Sequence, residues 1–213
     1  MNPRMNTPRS LIALLVIVAA ASAAAAPKFE SVWKAAEVSK LKFAGKKIAA
    51  LVITDDQPLQ MSGEESLVKE LSARKVIAVP TYRMMPREEM KSAERARPWF
   101  EKAGIQGVVA LRPVSYQAAG RRAPVVWSSY SQSFYGYYGM GWSGNVGVGI
   151  SLSKDPASVV VETLVFNLEP ERLVWAATSE TKNPKNVQQV VGDLIEEVVK
   201  EMRDMKLVPQ DAR

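Results

Sequence analysis

Residues 47–54, Lys47-Ile48-Ala49-Ala50-Leu51-Val52-Ile53-Thr54, hold no polar side chain between Ile48 and Ile53 and stop at Asp55 and Asp56. A half-exposed strand would show a polar residue at every second position, so an unbroken run of this kind fits a strand covered on both faces. Such strands lie inside parallel sheets, and parallel neighbours need helical crossovers. The next residues supply them. Ser62-Gly63-Glu64-Glu65 has a capping-box pattern, and Leu67, Val68 and Leu71 follow at helical spacing, which predicts a helix to about Arg74. Val76–Tyr82 reads as a second strand, with Pro80 near its end. Pro86 then opens a charged helical stretch carrying Met90, Ala96, Trp99 and Phe100, which Pro98 is expected to kink and Gly104 to end. Gly107–Ser115 is the third strand. A β-α-β-α-β order winds right-handed into a parallel sheet.

Further along, Ser158–Leu168 and Leu173–Thr181 flank the turn Glu169-Pro170-Glu171-Arg172 and read as an antiparallel hairpin. Asn183-Pro184 predicts the start of a last helix, whose apolar face runs from Val187 through Leu194 and Val198 to Met205. Residues 24–43 carry Phe29, Trp33, Leu41 and Phe43 in no clean period and read as a lead-in packed on the domain edge. The expected class is α/β. One β-α-β-α-β-(insert)-β-β-α domain covers residues 44–208 in two or three layers, with a mixed five-stranded sheet and three main helices. An insertion at 118–156 interrupts it.

Residues 1–23 have the form of an export signal. Arg4 and Arg9 precede the apolar run Leu11–Ala20, and Ala21-Ser22-Ala23 gives the small-residue cleavage pattern. Cleavage is expected after Ala23, because Pro27 makes a later cut unfavourable. The run from Leu11 to Ala26 falls short of the roughly 20 residues that span a bilayer. Losing Arg4 and Arg9 from 28 basic residues leaves 26 against 22 acidic ones. That surplus is small and contains no Lys/Arg block, which argues against nucleic acid as a partner. The expected location is the periplasm. With no Cys, the chain offers no thiol for a lipid anchor, disulfide or thiolate metal site. With no His, it has no Ser-His-Asp triad and no imidazole acid–base group.

The motifs that suggest chemistry are poorly placed. Gly139-Met140-Gly141-Trp142-Ser143-Gly144 matches G-x-G-x-x-G but follows no predicted strand. The S-x-x-K pairs lack any S-D-N or K-T-G companion. Asp55 and Asp56 close the first strand, where open α/β sheets bind ligands, and could hold Mg²⁺ or act as acid and base. Against that stands the ordinary role of Asp, which folds loops through bonds to backbone. No cofactor is expected. A metal-assisted hydrolase using Asp55 and Asp56 is kept as an alternative.

From Ala123 to Ser153 there are 31 residues without a charge, holding seven of the 16 aromatic residues. These are Trp127, Tyr130, Phe134, Tyr135, Tyr137, Tyr138 and Trp142, and six of the 12 glycines lie between Gly136 and Gly149. Val146–Ser153 alternates as a strand with one apolar face, and a hairpin with a Gly/aromatic tip is expected. Four readings stay open: a loop collapsed on its own domain, a loop whose aromatics bind a protein or glycan, a membrane hairpin, and edge-to-edge strand pairing. The expected binding residues are the seven aromatics. On the binding-loop reading, deletion of 123–153 should leave the fold intact.

The strand Lys47–Thr54, the passage from Trp99-Phe100-Glu101-Lys102-Ala103-Gly104 into Gly107-Val108-Val109, and the hairpin from Glu162–Phe166 to Leu173–Ala176 resemble uncharacterised bacterial envelope proteins, many of them lipoproteins. At fold level these are similar to the small α/β domain of the Tol-system β-propeller protein and of the curli secretion channel. The resemblance spans roughly residues 44–208. It implies an exported, non-enzymatic envelope protein, whose partner is an envelope protein, peptidoglycan or another glycan. It also implies a second alternative, a subunit of an oligomeric outer-membrane assembly in which hairpins from 123–153 meet the membrane. The absence of a lipid-anchoring Cys departs from that pattern.

Overall fold

The computed structural model describes residues 27–116, 132–143, 158–182, 184 and 186–210. The leader and most of the insertion, including Trp127, Tyr130 and the strand expected at Val146–Ser153, lie outside the described residues. In chain order the elements are β1 (Phe29–Lys34), a 3₁₀ turn (Val38–Lys40), β2 (Lys47–Val52), α1 (Gln57–Ser72), β3 (Ile77–Pro80), α2 (Thr81–Met84), α3 (Arg87–Met90), α4 (Ala93–Lys102), β4 (Gly107–Tyr116), α5 (Phe134–Ser143), β5 (Ser158–Leu168), β6 (Glu171–Lys182) and α6 (Val187–Asp204).

The strands form one mixed α/β sheet in the order β1-β6-β5-β4-β2-β3. β2 pairs in parallel with β3 and β4, while β4–β5, β5–β6 and β6–β1 are antiparallel. β2 is buried on both faces, as its apolar run requires. Ile48, Ala50 and Val52 face one core with Leu67 of α1 and Leu194 of α6, whereas Ala49, Leu51 and Ile53 face a second with Phe100 of α4 and Phe134 of α5. The molecule therefore has three layers, α1 and α6 on one side and α4 and α5 on the other.

The sheet has six strands, not five. Residues 29–34 of the expected lead-in form β1, paired to β6 from Phe29↔Ser179 to Lys34↔Trp175. As an edge strand it is exposed at four of its six positions, so it shows no sustained apolar pattern. Helix starts also differ from expectation. α1 begins at Gln57, because Asp56 caps it by accepting the Leu59 N–H (3.0 Å) and Pro58 fits the first turn. Ser62 lies inside this helix and donates to the Leu59 carbonyl. α6 begins at Val187, capped by Asn186 rather than Asn183, with the Asn186 side chain accepting the N–H groups of Gln188 and Gln189. The charged stretch breaks at Lys91-Ser92 and runs through the exposed Pro98. Gly104 ends it at a φ of 65°, as expected.

Candidate functional site

The described part of the insertion is a helix, α5, where a hairpin tip was expected. Phe134, Tyr137, Tyr138 and Gly141 recur at i, i+3, i+4 and i+7, which places them on one face. That face lies on the sheet. Phe134 meets Phe100 and Phe166 with ring centroids 5.0 and 5.6 Å apart, and Tyr137 meets Phe166 at 5.8 Å. Two glycines permit this close fit. A Cβ on Gly141 would stand 2.9 Å from Ile53 Cδ1, and one on Gly139 would stand 3.2 Å from Ala93 Cβ. Those contacts account for two glycines of the G-x-G-x-x-G match by helix packing.

The seven aromatics consequently divide. Phe134, Tyr137 and Tyr138 are 0 % exposed and belong to the core, which corrects their expected place on a contact surface. Burial pushes the phenols of Tyr137 and Tyr138 far above their ordinary range. Tyr135 and Trp142 are half-buried on the flank of that face, Tyr135 against Phe134 and Trp142 against Tyr138. Tyr135 forms one wall of a cleft of about 360 Å³ between the end of α4, the first turn of α5 and the β5–β6 turn. The Arg97 guanidinium lies 3.8 Å over its ring centroid, and Glu171 accepts its backbone N–H (3.2 Å). Partial burial raises the Tyr135 phenol to about 12. Glu101, Glu169 and Glu171 stand at the rim, over a floor that includes Phe100 and Ile105. This cleft sits at the amino-terminal end of β4, opposite the strand ends at which sequence placed a ligand.

At those carboxyl ends, Asp55 and Asp56 serve the loop. Asp56 caps α1, and Asp55 pairs with Lys91 (2.9 Å) while its carbonyl accepts from Arg87. Among the described residues no group of three acidic side chains is placed to hold a metal ion. Sequence reasoning assigned Glu64 to a capping box. It is instead a buried latch, accepting hydrogen bonds from Val52 N–H (3.1 Å), Tyr82 N–H (2.8 Å), Thr81 Oγ1 (2.6 Å) and Gln60 Nε2 (3.1 Å). It ties β2, α1 and α2 together.

Desolvation outweighs those four donors and raises the Glu64 carboxyl from 4.5 to about 7. The folded protein therefore holds this proton more tightly than the unfolded chain, so stability falls as pH rises from about 4.5 to about 7, by roughly 3 kcal/mol from this group. Urea unfolding across that range should show the decline in the native chain, and Glu64→Gln should remove it. A native profile with no Glu64-dependent slope would refute the assignment.

Among the described residues no helix is long and apolar enough to cross a membrane. No protein-family model matches the chain, and no curated protein is similar to it in sequence. Among solved structures it is similar to a PelC dodecamer from Paraburkholderia phytofirmans, with 14% identity and a TM-score of 0.44 over 84% of this chain and 99% of that one. It is similar also to a substituted PelC dodecamer from the same organism, with 14% identity and a TM-score of 0.42 over 83% and 98%. Neither likeness concerns a Tol or curli domain. At that level the likeness assigns neither family nor function.

Proposed function

We propose that this chain is a non-enzymatic interaction domain of the bacterial envelope, working in the periplasm, and that it holds an envelope protein through the half-buried flank of α5 and the adjoining cleft. The observation that carries this reading is the construction of α5. Three buried aromatics fix the helix to the sheet, and Tyr135 and Trp142 are thereby held half-buried at the surface. Rigid aromatic side chains of this kind are the common anchors of protein interfaces, because little conformational freedom is lost when they are covered. The groups around Tyr135 are the Arg97 guanidinium and the Glu101, Glu169 and Glu171 carboxylates, which can bond a polar rim around an aromatic anchor. A hydrolytic role for Asp55 and Asp56 is disfavoured, since helix capping and the Lys91 pair already occupy both carboxylates.

The membrane-hairpin alternative has one observation in its favour. β4 and β5 stay paired to Tyr116↔Ser158, so the insertion leaves and re-enters the domain at adjacent points. Its described part nevertheless returns to the sheet as α5, and three of the aromatics expected at a membrane tip, Phe134, Tyr137 and Tyr138, are in the core.

The test uses a photo-crosslinking residue at position 135, with a control at the exposed rim of α6 in place of Gln188. Position 135 should give a discrete adduct in cells and position 188 none. A Tyr135→Ser/Trp142→Ser chain, carrying the crosslinker at position 97 beside the former Tyr135 ring, should lose at least nine-tenths of the adduct seen with both aromatics present, at a temperature where its near-ultraviolet circular dichroism shows it folded. Equal adducts from positions 135 and 188, or adducts that survive loss of both aromatics, would sink the proposal.

A further inference from the structure

The sheet ends in two unlike edges. β3 has four residues and carries Pro80, the short proline-bearing form that discourages further pairing. β1 is the other edge, and among the described residues nothing pairs with its outer side. It exposes two adjacent large apolar side chains, Val32 at 47 % and Trp33 at 40 %. Its backbone is also turned outward in part. Ala35 donates to the Val174 carbonyl (2.9 Å), the residue that the register from Lys34↔Trp175 sets opposite it. Successive residues of a strand turn their N–H and C=O groups to opposite edges, so Val32 and Lys34 direct theirs away from β6.

An antiparallel strand added here must set its own outward-directed residues against these, so its register slides two positions at a time. When the added strand is a second β1, charge selects among the registers. One sets Lys34 against Lys28 of the second copy, and another sets Lys34 against Val32 and Glu30 against Ala36. The register between them sets Val32 against Val32 and Glu30 against Lys34 at both ends. Opposite charges directly across a strand pair stabilise it and like charges destabilise it. A lysine on an edge ordinarily repels added strands, and this register alone satisfies it. Glu30 forms no ion pair among the described residues, and Lys34 bonds Glu201 at the exposed surface (3.4 Å). The shape of β1 agrees. Phe29 and Ser31 face successive residues of β6, so the edge carries an extra residue at Glu30 and bends there. Residues 30–34 laid on their own copies stop at that bend from both sides.

We propose that two copies of this chain join β1 to β1, antiparallel about a two-fold axis at Val32, to make one continuous sheet. The two Val32 residues exchange a pair of backbone hydrogen bonds and pack together on the side of the sheet that carries α6, where Lys34 already points. Glu30–Lys34 pairs flank them. On the opposite side Trp33 of each copy lies across the small Ser31 of the other. A two-fold contact uses the same surface on both copies and closes at two. This surface is separate from the flank of α5, and the inference does not depend on what that flank holds.

Sedimentation equilibrium of the purified exported chain, at concentrations up to about 0.5 mM so that weak association is seen, should give a monomer–dimer equilibrium. Glu30→Lys and Lys34→Glu each set like charges opposite one another at both ends of the seam, and each should dimerise about tenfold more weakly than the parent. Mixed in equal amounts, the two variants should pair with each other as tightly as the parent pairs with itself, because each supplies the charge the other lacks. The exchanged chain Glu30→Lys/Lys34→Glu should also match the parent. Val32→Pro removes an outward N–H and no bond to β6, so this chain should keep the parent's near-ultraviolet circular dichroism and sediment as a monomer. A parent that stays monomeric, an assembly larger than two, a Val32→Pro chain that still dimerises, or charge variants that dimerise like the parent would overturn the proposal. So would a mixture of the two single variants that stays as weak as either alone.

Discussion

A chain lacking residues 123–153 should fail to fold as a cooperative unit. The sequence pattern suggested a removable loop, but the deletion takes out α5 and with it Phe134, Tyr137 and Tyr138, each fully buried. Truncating one such aromatic side chain in a core costs about 3–5 kcal/mol. Three of them together are comparable to the whole net stability of a domain, about 5–15 kcal/mol. The loss is also local. Phe100, Phe166, Ile53 and Ala110 would be uncovered on one side of the sheet, leaving an apolar surface that no neighbouring element can reach. The expected result is a collapsed near-ultraviolet circular dichroism spectrum and no sharp melting transition. The milder Phe134→Ala should still fold, with 3–5 kcal/mol less stability in urea. A deletion chain that melted as sharply, and as high, as the parent would mean that α5 does not lie on the sheet in solution.

The second large effect concerns two charges in the same core. Arg112 and Glu162 face each other across β4 and β5, 6 % exposed each, with Nε and a terminal nitrogen of Arg112 at 2.9 and 2.7 Å from Glu162 Oε2. Burial raises the Glu162 carboxyl above its ordinary range and Arg112 opposes that rise. Arg112→Ala removes the opposition and strands a carboxyl in apolar surroundings, which costs about 3–5 kcal/mol. The pH dependence follows from linkage. A carboxyl whose folded pKa is raised loses stability as pH climbs from the unfolded value to the folded one. The variant's deficit should therefore be larger at pH 8 than at pH 5. Replacing both residues, as Arg112→Leu/Glu162→Leu, should recover most of the loss, since a well-packed apolar pair is often as stable as a buried ion pair. Urea unfolding of the parent and the two variants at both pH values decides it. A loss under 1 kcal/mol in Arg112→Ala would show that Glu162 finds water or another donor once its partner is gone.

Legibility from sequence followed burial. β2 and the described side chains at 107–113 and 159–167 are buried on both faces, and the apolar runs at 48–53, 108–111, 159–161 and 164–166 announced these strands with bounds close to those observed. β1 was missed because an edge strand with four exposed positions needs little apolar sequence, and its pairing to residues 175–179 is not local information. α5 was missed because its glycines lower helix propensity, and the helix is set by the sheet it covers. A signal was present nonetheless in the spacing 134, 137, 138, 141, masked by attention to composition rather than to period. The Asp56-x-Pro58 start of α1 was readable in the same way. Glu64 was not, since nothing in a helical Glu indicates that its four donors come from β2, α1 and α2. The cleft was invisible for a similar reason, because its carboxylates come from a helix and a turn about 70 positions apart.

The sheet order has a consequence for when this chain can fold. β1 pairs only with β6, and Phe29 meets Ser179, 150 positions later. The backbone of Phe43 is likewise held by the carbonyl of Leu207. The first strand made thus waits for the last one, and a nascent chain of half length has no way to close its sheet. Contacts this distant in sequence form slowly, because a long loop must close before any of them is rewarded. Such topology leaves both edges of β5 and β6 without their full set of partners until the last strand has been made, so the sheet closes in one late step.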